Sequence, residues 1–278
     1  MLVHTAYGKS KVRLVQVARH GDRHDLRDLT VAIQFEGDYD ESYTAGDNSG
    51  VLPTDTMKNT VYALAARGPI DGPEPFGLAL CRHFLDRNAR LERVRVAITE
   101  HPWGRIANGA REHGQAFVRQ GSETRSATVT SDRQSAVVEA GLADLVILKS
   151  SRSAFSGYLR DEYTSLPETR DRILATSLSA TWRYRDGEIA FGPAWWAVRG
   201  TLLETFAAHQ SESVQHTMHA MGRAVMDGCG AVVRIHLVMP NRHHLPVDLT
   251  PFGLENRNEI FVATEEPHGL IEATLERD

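Results

Sequence analysis

Cysteine is scarce: the 278 residues hold two, Cys81 and Cys229, far apart and outside any CxxC pair. A disulfide scaffold or a structural zinc site needs more, so two reduced thiols and no metal centre are expected. Long apolar runs are missing too. No stretch approaches the roughly 20 residues of a membrane span. The opening Met1 to Val12 is polar, without the apolar core of a signal peptide. The chain closes on Leu275-Glu276-Arg277-Asp278 rather than on a Ser-Lys-Leu tail. The expected location is therefore cytoplasmic, with no membrane partner. An excess of basic charge is also absent: the net charge is -5 with the signs interspersed. A phosphate-tracking protein clusters Lys and Arg, so no nucleic-acid partner is expected.

What is present has the balance of an ordinary globular protein, 41% hydrophobic and 24% charged. The length admits one large domain or two medium ones. Val12 to Val17 and Leu29 to Phe35 read as strands joined through the Gly21-Asp22 turn. Asp55 to Arg67 and Phe76 to Leu91 carry apolar residues at helical spacing. Val94 to Thr99 and Ser126 to Thr130 read as strands again. The second half repeats that order. Val137 to Leu148 and Ala180 to Tyr184 are strand-like, Ala194 to Ala208 and Glu212 to Met226 helix-like. Ser211 is the expected N-cap of the latter. Val232 to Met239 and Glu259 to Ala263 close the series as strands. The expectation is an α+β chain of two tandem ββααββ units, residues 1–133 and 134–278, with no residue-level identity between the halves. An antiparallel sheet in each unit leaves open edges that must be covered, charged or paired, which favours an oligomer.

Four segments carry more specific information. They are Tyr7-Gly8-Lys9, Pro53-Thr54-Asp55-Thr56-Met57-Lys58-Asn59-Thr60, the block from Leu148-Lys149-Ser150 through Phe155 and Arg160-Asp161-Glu162-Tyr163 to Arg172, and Pro240-Asn241-Arg242-His243-His244. In order and spacing, over essentially the whole chain, they resemble the urate oxidase (uricase) family, in its bacterial form. The resemblance implies two tunnelling-fold (T-fold) units whose antiparallel sheets close into a barrel between subunits. It implies a homotetramer with active sites at subunit interfaces, and urate and molecular oxygen as substrates without a cofactor. Phe155 would stack on the purine. Arg172 would offer a planar fork to a carbonyl oxygen and the adjacent ring nitrogen. Gln215 would hold the opposite edge, with the backbone N–H of Val214. Thr54 and Asp55 would complete the substrate contacts. Lys9, Thr54 and His243 would form a proton relay, and Asn241 would hold oxygen or water over the ring. Many members carry a bulky aromatic residue where this chain has Ser156, and His244 also departs from the eukaryotic pattern.

Taken singly, these residues read otherwise. Lys9 and Arg172 are solvated surface cations by position, Thr54 a helix N-cap and Phe155 a core aromatic. Only the joint pattern points to chemistry. Two rival enzyme classes share some of these residue types. Arg19-His20-Gly21-Asp22-Arg23 resembles the signature of histidine phosphatases, but Asp25 stands where that signature has proline, and no later proton-donor motif follows. A zinc hydrolase or an aldolase of the same fold is disfavoured because Cys81, His83, His101, His113, His243 and His244 form no spaced ligand set. A non-enzymatic purine binder would lack Lys9, Thr54 or His243, and all three are present.

Overall fold

In the computed structural model, residues 2–264 and 266–277 are described. They divide into two compact units, Met1–Gly141 with Arg183–Trp195, and Leu142–Trp182 with Trp196–Asp278. The first unit contains β1 (Tyr7–His20), β2 (Arg23–Gly37), α1 (Asp40–Thr44), α2 (Thr54–Ala65), α3 (Pro73–Arg87), β3 (Leu91–Glu100), β4 (Trp103–Asn108), β5 (Arg111–Arg119) and β6 (Thr124–Ser131). Strand β7 (Ala136–Lys149) runs from the first unit into the second, and β8 (Leu174–Tyr184) runs back. The rest is α4 (Phe191–Ala208), α5 (Val214–Gly228), β9 (Val232–Arg242), β10 (His244–Pro246), β11 (Phe261–Ala263) and β12 (Gly269–Glu276).

The first unit is built on antiparallel strands in the order β1-β2-β3-β6. Leu29, Val31, Ile33 and Phe35 alternate along β2 and are all buried, the two-residue period of a sheet with one face on a core. Met57, Val61 and Ala65 bury one stripe of α2, and Leu80 and Phe84 one stripe of α3. The rings of Phe35 and Phe84 meet edge-on at 5.0 Å. In the second unit, α5 buries Val214, Met218, Met221 and Val225 at helical spacing, and it packs on β9 and β12. Ile235, Leu237 and Met239 of β9 are wholly buried beneath it. β9 pairs with β12 from Asn241↔Gly269 to Arg234↔Glu276.

Several elements differ from the sequence-based expectation. The final sheet strand is β12; Glu259 to Ala263 contributes only the short β11, which pairs with β10. β4 and β5 form an additional hairpin in the first unit, a strand pair that scattered arginines conceal from any periodicity count. β8 begins at Leu174, not Ala180, because Thr176 is wholly buried in it yet reads as polar. α3 starts at Pro73, a residue favoured in a first helical turn. It stops at Arg87, where Asn88 turns extended. The cap of α5 is Ser213, whose side chain accepts from the His216 N–H, and not Ser211. Thr54 is the first residue of α2; the cap position is Pro53, with no side-chain cap bond.

Candidate active site

In the first unit, Lys9 sits on β1 opposite Ile33, just before a register shift at which Lys11 adopts a left-handed φ of 55°. Two residues upstream, the Tyr7 hydroxyl accepts a hydrogen bond from the Leu52 N–H at 3.0 Å. The Tyr7 ring meets Phe35 and Tyr39 edge-on. This bond ties the Leu52-Pro53 approach of α2 to the start of β1, and α2 packs along that strand. Thr54 is half-buried and Asp55 exposed in the first turn of α2. The hydrogen bond from Lys58 and its charge hold the Asp55 carboxyl below the usual carboxylate range, with smaller help from Asn59 and Lys9. Tyr7 lies in the opening motif, but nothing in the sequence alone marks its hydroxyl as the anchor of the α2 approach.

In the second unit, Phe155, Arg172, Val214, Gln215, Asn241 and His243 line one cavity of about 420 Å³. They come together through irregular backbone. Phe155 pairs with Thr169 through two bonds, 2.8 and 3.0 Å, and the Arg172 N–H donates to the Ser153 carbonyl at 2.8 Å. On the other side, the Ala154 N–H donates to Ser211 at 2.7 Å and the Ser211 N–H to Arg152 at 3.0 Å. Residues 152–155 are thus clamped between the segment bearing Arg172 and the turn that leads into α5.

The Arg172 guanidinium lies 5.2 Å from the centre of the Phe155 ring, within cation–π range. Tyr158 stacks on the same ring at 4.8 Å and 18°, which orients it although Ser156 offers no aromatic support. Burial lowers the Arg172 pKa, but an arginine stays charged at neutral pH. Its Nε is buried and has no hydrogen-bond partner. An unsatisfied buried donor of this kind is costly unless a ligand supplies an acceptor. Val214 and Gln215 open α5, where the first N–H groups lack intrahelical acceptors and the helix dipole favours an anion. Two carboxylates also border the cavity, and each faces a partner: Glu168 pairs with Arg160 at 3.7 Å, and Asp171 accepts from the Arg152 N–H.

Asn241 is buried at the end of β9, and its Nδ2 lies 3.4 Å from Nδ1 of His243. Burial, then the Arg172 charge and, least, the neighbouring His268 push the His243 pKa below its ordinary 6.5. Its ring is therefore neutral at pH 7 and keeps a lone pair for accepting a proton. Thr169, Ser211 and Ser213 support the site without any mark in the sequence. No periodic pattern could have found them, since they act through backbone and cap bonds. The phosphatase-like Arg19-His20-Gly21-Asp22-Arg23 forms the exposed β1–β2 turn, with His20 3.6 Å from the Asp25 carboxylate. Among the described residues, no group of three His, Cys, Asp or Glu side chains is placed to hold a metal ion.

A family model described as Uricase matches residues 5–130 and 138–272. The chain is 45% identical to the uricase of Arthrobacter globiformis over 98% of its own length and 88% of the relative's. It is 37% identical to the uricase of Danio rerio, over 98% and 94%. The crystal structure of the Arthrobacter globiformis enzyme matches it with a TM-score of 0.95 at 44% identity, covering 100% of this chain and 95% of that one. The fold and its repeated element order define a T-fold protein, mixed α and β with antiparallel sheets. Within that class, the chain belongs to the uricase family.

Proposed function

We propose that this chain is a urate oxidase that needs no cofactor and works as a cytoplasmic homotetramer, with its sites assembled between subunits. One observation carries the reading most: the half-buried Arg172 fork, its Nε unpartnered, lies over Phe155 beside the start of α5. Urate is flat, anionic at neutral pH, and edged with carbonyl oxygens and ring nitrogens. A planar cation, an aromatic face and free backbone N–H groups match those features in turn. Gln215 holds the far edge, and Thr54 and Asp55 approach from a neighbouring chain.

Urate itself supplies the electrons. Lys9 removes a second proton from the bound anion through the Thr54 hydroxyl, and neutral His243 tunes the lysine. The dianion gives two electrons to oxygen, and water adds at the oxidised carbon. Urate, oxygen and water thus yield 5-hydroxyisourate and hydrogen peroxide. Asn241 holds oxygen or water above the ring.

The two repeats correspond to residues 1–133 and 134–278. The strand and helix order β1-β2-α2-α3-β3-β6 recurs as β7-β8-α4-α5-β9-β12 on either side of that division, which supports the reading. β1 and β12 end their strand orders, each paired on one side only. Exposed Leu159, Tyr163 and Phe252 add apolar surface. Edges and patches of this kind call for a partner, which supports assembly through further copies of the chain.

The test is direct. Purified protein, dialysed against chelator, should bleach the ultraviolet band of urate in aerated buffer, with one oxygen consumed and one peroxide formed per urate. Activity that disappears with chelation and returns with one metal contradicts the cofactor-free reading.

A further inference from the structure

The geometry points to Asp171 as a positioning residue for urate binding, one that fixes the Arg172 fork over the Phe155 ring by capping a strained backbone turn at Arg152. The inference rests on the urate reading above. Arg152 has a φ of 61°, in the left-handed region that glycine favours and side chains resist. Its N–H donates to Oδ1 of Asp171 at 2.8 Å. The hydroxyl of Thr169 donates to the Asp171 carbonyl at 3.1 Å. Thr169 is itself the backbone partner of Phe155, and Arg172 that of Ser153. Asp171 therefore sits between the two residues, Thr169 and Arg172, whose backbones bond to Phe155 and Ser153. Its carboxylate adds a side-chain bond to the backbone N–H of that segment's strained first residue.

The consequence is geometric. Arg152 leads directly into Ser153, Ala154 and Phe155, and Asp171 leads directly into Arg172. Without the carboxylate, Arg152 loses its cap and relaxes toward ordinary φ. The ring and the fork then drift out of the register in which they meet. Asp171 is exposed and buries no core surface, so removing its side chain leaves the packing of the unit intact. A loosened cradle weakens ground-state binding more than the chemical step.

The experiment measures kcat and KM for urate, the Kd of xanthine as a non-oxidised purine probe, and Tm. The enzymes are wild type, Asp171→Ala, Asp171→Asn and the double variant Asp171→Ala with Arg152→Gly. Asp171→Ala should raise KM and Kd together by about fivefold to tenfold, the scale of one unmade hydrogen bond, with kcat changed much less. Asp171→Asn should stay near wild type, since its amide oxygen accepts the same bond. The double variant should recover most of the loss, because glycine holds that φ unaided. An Asp171→Ala enzyme with wild-type KM and Kd, whatever its Tm, overturns the inference. So does a double variant no better than the single one. Wild-type protein that neither binds xanthine nor consumes urate brings down the urate reading and the inference together. Normal wild-type activity with an unaffected Asp171→Ala brings down the positioning role alone.

Discussion

Arg172→Lys isolates what the guanidinium contributes beyond its charge. Arginine brings a planar, delocalised group that lies 5.2 Å from the Phe155 ring centre and an Nε buried with no partner in the protein. Lysine keeps the charge as a point at the end of a flexible stem and cannot present two parallel N–H bonds. The variant therefore loses at least one charge-assisted hydrogen bond to the bound anion, about 2 kcal/mol or more. By the tenfold-per-1.4 kcal/mol rule, that is a fall of about 30-fold in kcat/KM. Initial rates of urate bleaching across a concentration series give kcat and KM, and xanthine titration gives ground-state affinity. The loss should fall mainly on KM and on xanthine binding. A variant within threefold of wild type in kcat/KM refutes the placement of Arg172 against the substrate.

Lys9→Met should bind xanthine with near-wild-type affinity while turnover is almost abolished, because in the proposed relay the lysine acts on a proton rather than on binding; equal losses in both would make Lys9 a binding residue. Part of the pH dependence of stability comes from His243, whose pKa, like those of His83, His101 and His209, is lowered chiefly by burial. Its unfolded form titrates near 6.5, so below that pH the unfolded chain holds the extra proton and stability falls as pH drops. Thermal melts of His243→Gln between pH 7 and 5 should show a shallower decline, by up to one proton taken up on unfolding. A decline as steep as wild type's would show that His243 contributes nothing to it.

The legible part of the fold was the part built on regular periods. Val31, Ile33 and Phe35 alternate, and Met218, Met221 and Val225 recur at helical spacing, so β2 and α5 were visible in the sequence. β12 was not. Its half-buried Ile271, Ala273 and Leu275 alternate with exposed residues, a weak contrast that a short strand beside a loop does not raise above noise. The cap of α5 was displaced by two residues because Ser211 and Ser213 are equally good caps by type. Tertiary pairing decides between them: Ser211 is drawn into bonds with Arg152 and Ala154, leaving Ser213 to cap. The site residues were named by resemblance, not by pattern. Phe155 and Arg172 lie in a stretch without periodicity, where isolated backbone bridges set the geometry. Nothing local in the sequence encodes such bridges.

The most direct measurement of the central claim, that the relay residues of one chain and the purine cradle of another form a single site, uses mixed tetramers. Thr54→Ala and Arg172→Ala chains, each inactive alone, are unfolded together and refolded as an equal mixture. Random pairing across a two-fold interface makes half the pairs mixed. Each mixed pair then holds one doubly damaged site and one intact site. Activity should return to about a quarter of wild type, given isologous pairing. Native tetramers that contain both chains and show no recovered activity would mean that each site is built within one subunit.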